Sequence, residues 1–332
     1  MRAGLAERCS QHDIERQVEL FKVAAGNMKS SCQDFSYLLD LELFAGLEPV
    51  VFDVGCNKGY DTALMFEAFA AQEEFSRIAL GKFYKSNKQL NDSMSAMNGG
   101  TCGVCNDCKE SFDSNMKARQ RAAANRRLQV HCFEPSETNY QGLAQMHKRF
   151  FGSSNKTARG NELRLHKAAM SNYTGTVQMP SNCGELCQIQ AKSDSAAATT
   201  TTVPLTTVDA MLDSLQLQRL FLLKIDTEGF DPLVLQGARR SLAEHKVDLV
   251  LFEYNSGGVW GLNGLTLKGV TAELESFGYI CYFEGSLLTR ITGCWSDELE
   301  VKSWSNVICV AGSRPVQAVL RAYSIAPFKG RY

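Results

Sequence analysis

Residues 50–70 read VVFDVGCNKGYDTALMFEAFA, and the order of features within them decides the fold. VVFDV is a short, apolar, β-branched run of the kind that forms a buried parallel strand. DVGCNKG (Asp53–Gly59) overlaps its end and places glycines where the chain must turn sharply, and the helix formers DTALMFEAFAAQEEF follow. Strand, glycine turn and helix in that order open a βαβ unit.

Outward from this unit the alternation continues. Strands are expected at LQVHCF (128–133), LRLHKAAM (163–170), TVQM (176–179), RLFLLKI (219–225) and VDLVLFEY (247–254). YICYF (279–283) and SNVICVAG (305–312) read as two late strands with no clear helix between them, which suggests an antiparallel hairpin. Helices are expected at ETNYQGLAQMHKRF (137–150), DPLVLQGARRSLAEH (231–245) and LKGVTAELESFGY (267–279). Strands separated by helices predict a mostly parallel sheet covered on both faces. Upstream, residues 1–46 read as a helical extension with apolar stripes in IERQVELFKVAAGNMK and YLLDLELF. Two stretches interrupt the pattern: 74–127, polar and cysteine-bearing, and 180–202, rich in Ser, Ala and Thr. With no Pro-rich linker, both are insertions in one domain spanning 47–313, followed by a tail at 314–332.

Composition bounds what this domain can do. Of 332 residues, 44% are apolar and 21% charged, a balance that excludes whole-chain disorder, collagen and coiled coil. Lys and Arg number 35 against 36 Asp and Glu, so the chain lacks the basic excess of a nucleic-acid binder. No apolar run reaches the roughly 18 residues of a membrane span. The N-terminal MRAGLAERCSQHDIERQ contains no apolar h-region, which favours the cytosol. The three N-x-[ST] triplets, at Asn91, Asn155 and Asn172, would matter only in a secretory lumen.

The chemistry lies at strand ends. In DVGCNKG, Gly55 and Gly59 stand four apart with Asn57 between them, a spacing that departs from the G-x-G-x-x-G of dinucleotide sites and from the phosphate loop. Such a turn still brings a ligand close to backbone and exposes free helix N–H groups. FEP (Phe133–Pro135) ends the next strand, and a carboxylate there, acceptor-only when ionised, suits a ribose diol. KIDTEGFDP (Lys224–Pro232) ends a very apolar strand with Asp226 and Glu228, acids that are costly there unless paired or bound to a ligand. Asp231 before Pro232 reads as a helix N-cap. Asp53, Glu134, Asp226 and Glu253 thus put an acid at four successive strand ends.

DVGCNKG, FEP and LKIDTEGFDPLVLQGA, in that order, resemble the FkbM family of S-adenosylmethionine-dependent methyltransferases. The resemblance extends through TTVDAML (206–212), VDLVLFEYN (247–255) and WSNVIC (304–309). It implies a Rossmann-like class I methyltransferase with a seven-stranded sheet, and O-methylation of a hydroxyl on a sugar, glycan or other small molecule. By motif position Asp53, Gly55, Asn57 and Gly59 would line the methionine end of the cofactor. Glu134 would bind the ribose, and Asp226 would hold the amino group or position the sulfonium. A hydroxyl acceptor needs a base as it attacks; the candidates are Glu228, Glu253 and His166, the last more often a strand-end surface residue.

The long 74–127 stretch and its cysteines depart from the family pattern. Cys102, Cys105 and Cys108 form C-x-x-C-x-x-C, to which Cys132, Cys183 or Cys187 could add a fourth zinc ligand. With twelve cysteines, and C-x3-C at Cys183–Cys187, disulfides stand beside zinc in an oxidising compartment, and unlinked thiols are the third reading. Arg119, Arg121, Arg126 and Arg127 read as a solvated helix face or as an anionic-substrate contact. A second functional class therefore stands beside the enzyme: a non-catalytic methyltransferase-like module stabilised by metal in its Cys-rich insertion.

Overall fold

A computed structural model describes residues 8–24, 48–70, 74–94, 126–181, 200–284, 287–311, 314–322 and 324. Strand β1 (Val50–Val54) lies at the centre of the main sheet, paired in parallel with β2 (Gln129–Phe133) and β7 (Leu220–Ile225). Outside these, β3 (Glu162–His166) pairs with β2 and β8 (Val247–Tyr254) with β7, again in parallel. β11 (Ser305–Ala311) pairs antiparallel with β8 on one side and with β9 (Tyr279–Phe283) on the other. Two residues of β10 (Thr289–Arg290) close that edge antiparallel to β9.

The sheet is therefore eight-stranded and mixed, in the order β10-β9-β11-β8-β7-β1-β2-β3, where seven strands were expected. The late hairpin is antiparallel as the missing helix implied, but its second strand inserts between β8 and β9 rather than extending the edge. LRLHKAAM also divides. Its first half is β3; Ala169–Met170 leave the main sheet as β4, beside β6 (Thr200–Thr206) and β5 (Gly175–Pro180) in a three-stranded sheet.

Side chains alternate across each main-sheet strand and feed two cores. On one face Val51, Val130, Leu163 and Leu222 meet α2 (Tyr60–Ala70) and α5 (Glu137–Phe150). On the other, Phe52, Phe133, Leu223 and Val250 meet α1 (Gln11–Ala24), α6 (Val208–Ser214) and α9 (Leu267–Ser276). Helix α2 is apolar nearly all round and buried accordingly. Its one buried acid, Glu67, is met by the Arg77 guanidinium at 3.2 Å.

Three further expectations change. The helical reading of 231–245 resolves into α7 (Asp231–Gln236) and α8 (Arg239–Ala243), broken around Gly237, where a Cβ would stand 2.0 Å from the Ser171 carbonyl oxygen. Part of 74–127 is helical, as α3 (Arg77–Ser86) and α4 (Lys88–Met94), and the tail begins with α10 (Arg314–Ala322). Cys9–Cys294, Cys56–Cys132 and Cys281–Cys309 are disulfides. Cys132 is thus unavailable to zinc; Cys102, Cys105, Cys108, Cys183 and Cys187, with Arg119 and Arg121, lie outside the described residues. Among the described residues no group of three or more His, Cys, Asp and Glu could hold a metal, and no helix is long and apolar enough to cross a membrane.

Candidate functional site

At the carboxyl ends of β1, β2 and β7 the chain opens a cleft. Ligands in open α/β sheets occupy this edge. Three loops form it, and backbone hydrogen bonds lock them together: Gly55 N donates to the Phe133 carbonyl at 2.9 Å, and Asp226 N to that of Val54 at 2.9 Å. Gly55 adopts φ +80°, and a Cβ there would lie 1.8 Å from the Asp226 carbonyl oxygen. The glycine is required because two loops touch at that point, a stronger constraint than the ligand clearance expected of it. Gly229, at φ +96°, plays the same part farther out, against Gly257 and Gly258.

Glu134 is held from below. Its Oε2 accepts from Asn57 N at 2.9 Å, its Oε1 from Ser136 N at 2.8 Å, and the Asn139 side chain adds a third bond. These fix the carboxylate with acceptor capacity remaining, since such a group offers about four lone-pair sites. Burial nevertheless pushes its pKa up to about 7, against the opposing pull of those hydrogen bonds. Asn57 itself sits at φ +47°, a left-handed turn that asparagine tolerates. The Cys56–Cys132 disulfide ties the residue before Asn57 to the strand that carries Glu134.

The cleft floor is ionic. Lys224 Nζ stands 2.7 Å from Asp61, 3.3 Å from Asp53 and 3.4 Å from Asp226. Burial alone would lower the lysine's pKa, but the three carboxylates carry it well above its ordinary value. Burial raises Asp53, partly offset by Lys224; its Oδ2 also accepts from the Thr62 hydroxyl at 2.6 Å. Asp226, with a side chain 39% exposed, reaches from this network into the cleft.

Asp226, Gly55, Asn57, Glu134 and Glu228 line the cleft together; the structure does not bring Asp53 or Gly59 into the lining, because Asp53 is buried against Lys224 and Gly59 faces Leu143 and Met146. Glu228 adopts φ +54° in the turn between Asp226 and Asp231. The structure does not bring Glu253 or His166 into the lining. Glu253 is buried, and desolvation together with the Asp226 and Asp231 charges pushes its pKa up to about 10, so at neutral pH it is a carboxylic acid bonded to Asp226. His166 stacks on Phe133, and its Nε2 lies 2.9 Å from His131 Nδ1. Burial lowers its pKa to about 4. Asp231 is the first residue of α7 rather than its cap. Its carboxylate accepts from Thr227 Oγ1 at 2.9 Å and Glu253 N at 3.0 Å, which sets the turn.

Lys224, Asp61, Thr62 and Asn139 escaped assignment from sequence. A signal for Lys224 existed: a lone cation two residues before Asp226 on an apolar strand must share its face. Met170 and Met179, which wall the cleft, come from the small sheet and carry no local signal.

The model of the FkbM methyltransferase domain matches residues 53–281. A crystal structure of an FkbM methyltransferase from Methylobacillus flagellatus KT is similar over 90% of this chain, at 14% identity and a TM-score of 0.40. This chain spans 60% of the length of that structure. No curated protein matches it.

Proposed function

The chain belongs to the FkbM methyltransferase family, and on that premise we propose that it transfers the methyl group of S-adenosylmethionine to a hydroxyl of a sugar, glycan or other small molecule. One observation carries the cofactor half of this reading: Glu134, pinned by backbone N–H groups beside the Gly55 turn, keeps acceptor capacity toward the cleft at the strand ends. The residues fit the group. Glu134 would hold the ribose hydroxyls, the apolar wall of Val54, Phe133, Met170 and Met179 would take the adenine, and Asp226 would accept from the methionine ammonium. When bound, the cofactor supplies an electrophilic methyl on a sulfonium.

The chain's own contribution is positioning and proton removal. Glu228 is the proposed base, because it is the one candidate that lines the cleft; Glu253 is buried outside the lining and His166 is stacked on Phe133. Lys224 orients Asp226 through an ion pair at 3.4 Å. Acceptor selection is assigned to 74–127 and 180–202; for the second stretch the support is that the chain enters it just past Met179, which lines the cleft.

Calorimetry with S-adenosylhomocysteine tests the cofactor assignment. Labelled methyl transfer to a panel of hydroxylated acceptors, with amine and thiol analogues alongside, tests the O-methyl assignment. Binding without transfer to any hydroxyl would overturn the second and spare the first.

A further inference from the structure

Six cysteines in the described residues form three bridges, and five of their sulfur-bearing residues are 3% exposed or less: Cys56, Cys132, Cys281, Cys294 and Cys309. Their placement says when they formed. Cys281 and Cys309 face each other between two strands inside the sheet, and Cys56–Cys132 lies beneath the cofactor loop. Sulfurs so deep are out of reach of an oxidant once the sheet has closed. Cys9–Cys294 joins segments 285 residues apart, so it forms only when those distant segments have met. Bridges made during folding require an oxidising folding compartment, because cytosolic thiols are kept reduced. Each forms as a thiol pair gives two electrons and two protons to a protein disulfide of that compartment.

A chain folding in a secretory lumen also meets the enzyme that glycosylates N-x-[ST]. The three triplets are not equivalent. Asn91 belongs to helix α4. Asn172 donates through Nδ2 to Gln236, and it lies two residues from Met170 in the cleft wall. Asn155 occupies an exposed left-handed turn at φ +57°. Its carbonyl accepts from Leu163 N at the amino end of β3, whereas the cleft borders that strand's carboxyl end. At about 3.3 Å per residue the two ends stand on the order of 15 Å apart. A glycan at Asn155 leaves the cleft open.

We infer that this chain folds in an oxidising secretory lumen and is N-glycosylated at Asn155. The donor is a polyprenyl-pyrophosphate-linked oligosaccharide. The C1–N bond to Nδ2 forms as the C1–O bond to pyrophosphate breaks; the pyrophosphate leaves with the bonding pair, and the amide loses one proton to a base of the transferring enzyme. In the folded chain Thr157 Oγ1 accepts from Asn161 N at 3.2 Å, so the hydroxyl that completes the triplet is engaged. Transfer therefore precedes closure of this turn, as it does during translocation. The inference is independent of the acceptor and of catalysis.

The test uses the full chain isolated from the cells that produce it. Thiols are alkylated before and after reduction, and peptides are released by peptide N-glycosidase in heavy-oxygen water. The expected result is Cys56, Cys132, Cys281 and Cys309 alkylated only after reduction, and a heavy-oxygen aspartate at position 155. Asn155→Asp, which tolerates the same turn but offers no amide, should gain mobility on a denaturing gel and lose response to the glycosidase at this peptide. Unmodified Asn155 overturns the site assignment even if the cysteines are oxidised. Cysteines that alkylate without reduction overturn the compartment as well.

Discussion

Lys224 and Asp53 are register partners on the adjacent strands β7 and β1, and the lysine Nζ stands 3.3 Å from Asp53 Oδ1 at the floor of the cleft. Both residues are buried, and the same ammonium also serves Asp61 and Asp226. Lys224→Met would leave three carboxylates without their shared cation. Breaking a buried pair in this way costs about 3–5 kcal/mol. Urea unfolding should show a loss of that order, and S-adenosylhomocysteine should bind weakly to whatever folds. An unchanged unfolding midpoint would show that the cluster does not hold the strand ends.

Affinity for S-adenosylhomocysteine should rise with pH. Glu134 has its pKa pushed to about 7 and must be ionised to accept from two hydroxyls without donating. Below that value each unit of pH should weaken binding roughly tenfold, with a plateau above it. Stability of the ligand-free chain runs the other way. The folded state keeps the Glu134 proton to higher pH than the unfolded state does, so this group's contribution falls between the ordinary glutamate range and about 7. Glu134→Gln should flatten both curves; calorimetry and thermal unfolding across the range read them.

Glu228→Gln and Glu253→Gln separate base from scaffold. If Glu228 removes the acceptor proton, its amide should lower kcat by about 10²–10⁴-fold while leaving cofactor affinity near native. Glu253 is already protonated at neutral pH, and glutamine can still donate to Asp226, so Glu253→Gln should keep most turnover. The reverse ranking would move the proton acceptor to β8.

Removing the Cys56–Cys132 bridge as a double alanine variant should cost about 2–5 kcal/mol. The bridge closes a span of 76 residues and flanks the Asn57–Glu134 hydrogen bond. Cofactor affinity should therefore fall along with stability. Lost stability with native affinity would make the bridge a fold staple alone.

Gly55→Ala tests the loop contact. A methyl group placed 1.8 Å from the Asp226 carbonyl oxygen must push the β1 and β7 loops apart. Alanine, although small, should then lower thermal stability as well as binding. Lost binding with native stability would mean that the glycine serves only ligand clearance.

The strand–turn–helix opening, the acidic strand ends and the order of the motifs were legible because each is written in a few adjacent residues. VVFDV and RLFLLKI declare buried parallel strands by being apolar throughout, and FEP declares a strand end. What was hidden depends on residues far apart in sequence. Residues 305–312 read as one arm of a hairpin with 279–283, and nothing local says that β8 takes the other side of β11. Glu253 reads like Glu134, since both end apolar strands in Phe-Glu. Backbone amides meet Glu134, and two carboxylates meet Glu253, so one is a usable acceptor and the other a neutral acid. Cys56 and Cys132 likewise pair only because β1 and β2 are neighbours.

The insertion of β11 between β8 and β9 also sets a timetable for synthesis. Residues 247–254 and 279–283 leave the ribosome well before 305–311, and until the later strand arrives both present unpaired backbone edges to any nearby chain. Such edges invite association with other strands. β9 and β10 thus wait on a strand made later before they can join the sheet, and the Cys281–Cys309 bridge waits with them. A chain stopped just ahead of Ser305 would carry every residue that lines the cleft and still be left with two open edges, a nascent product prone to aggregate.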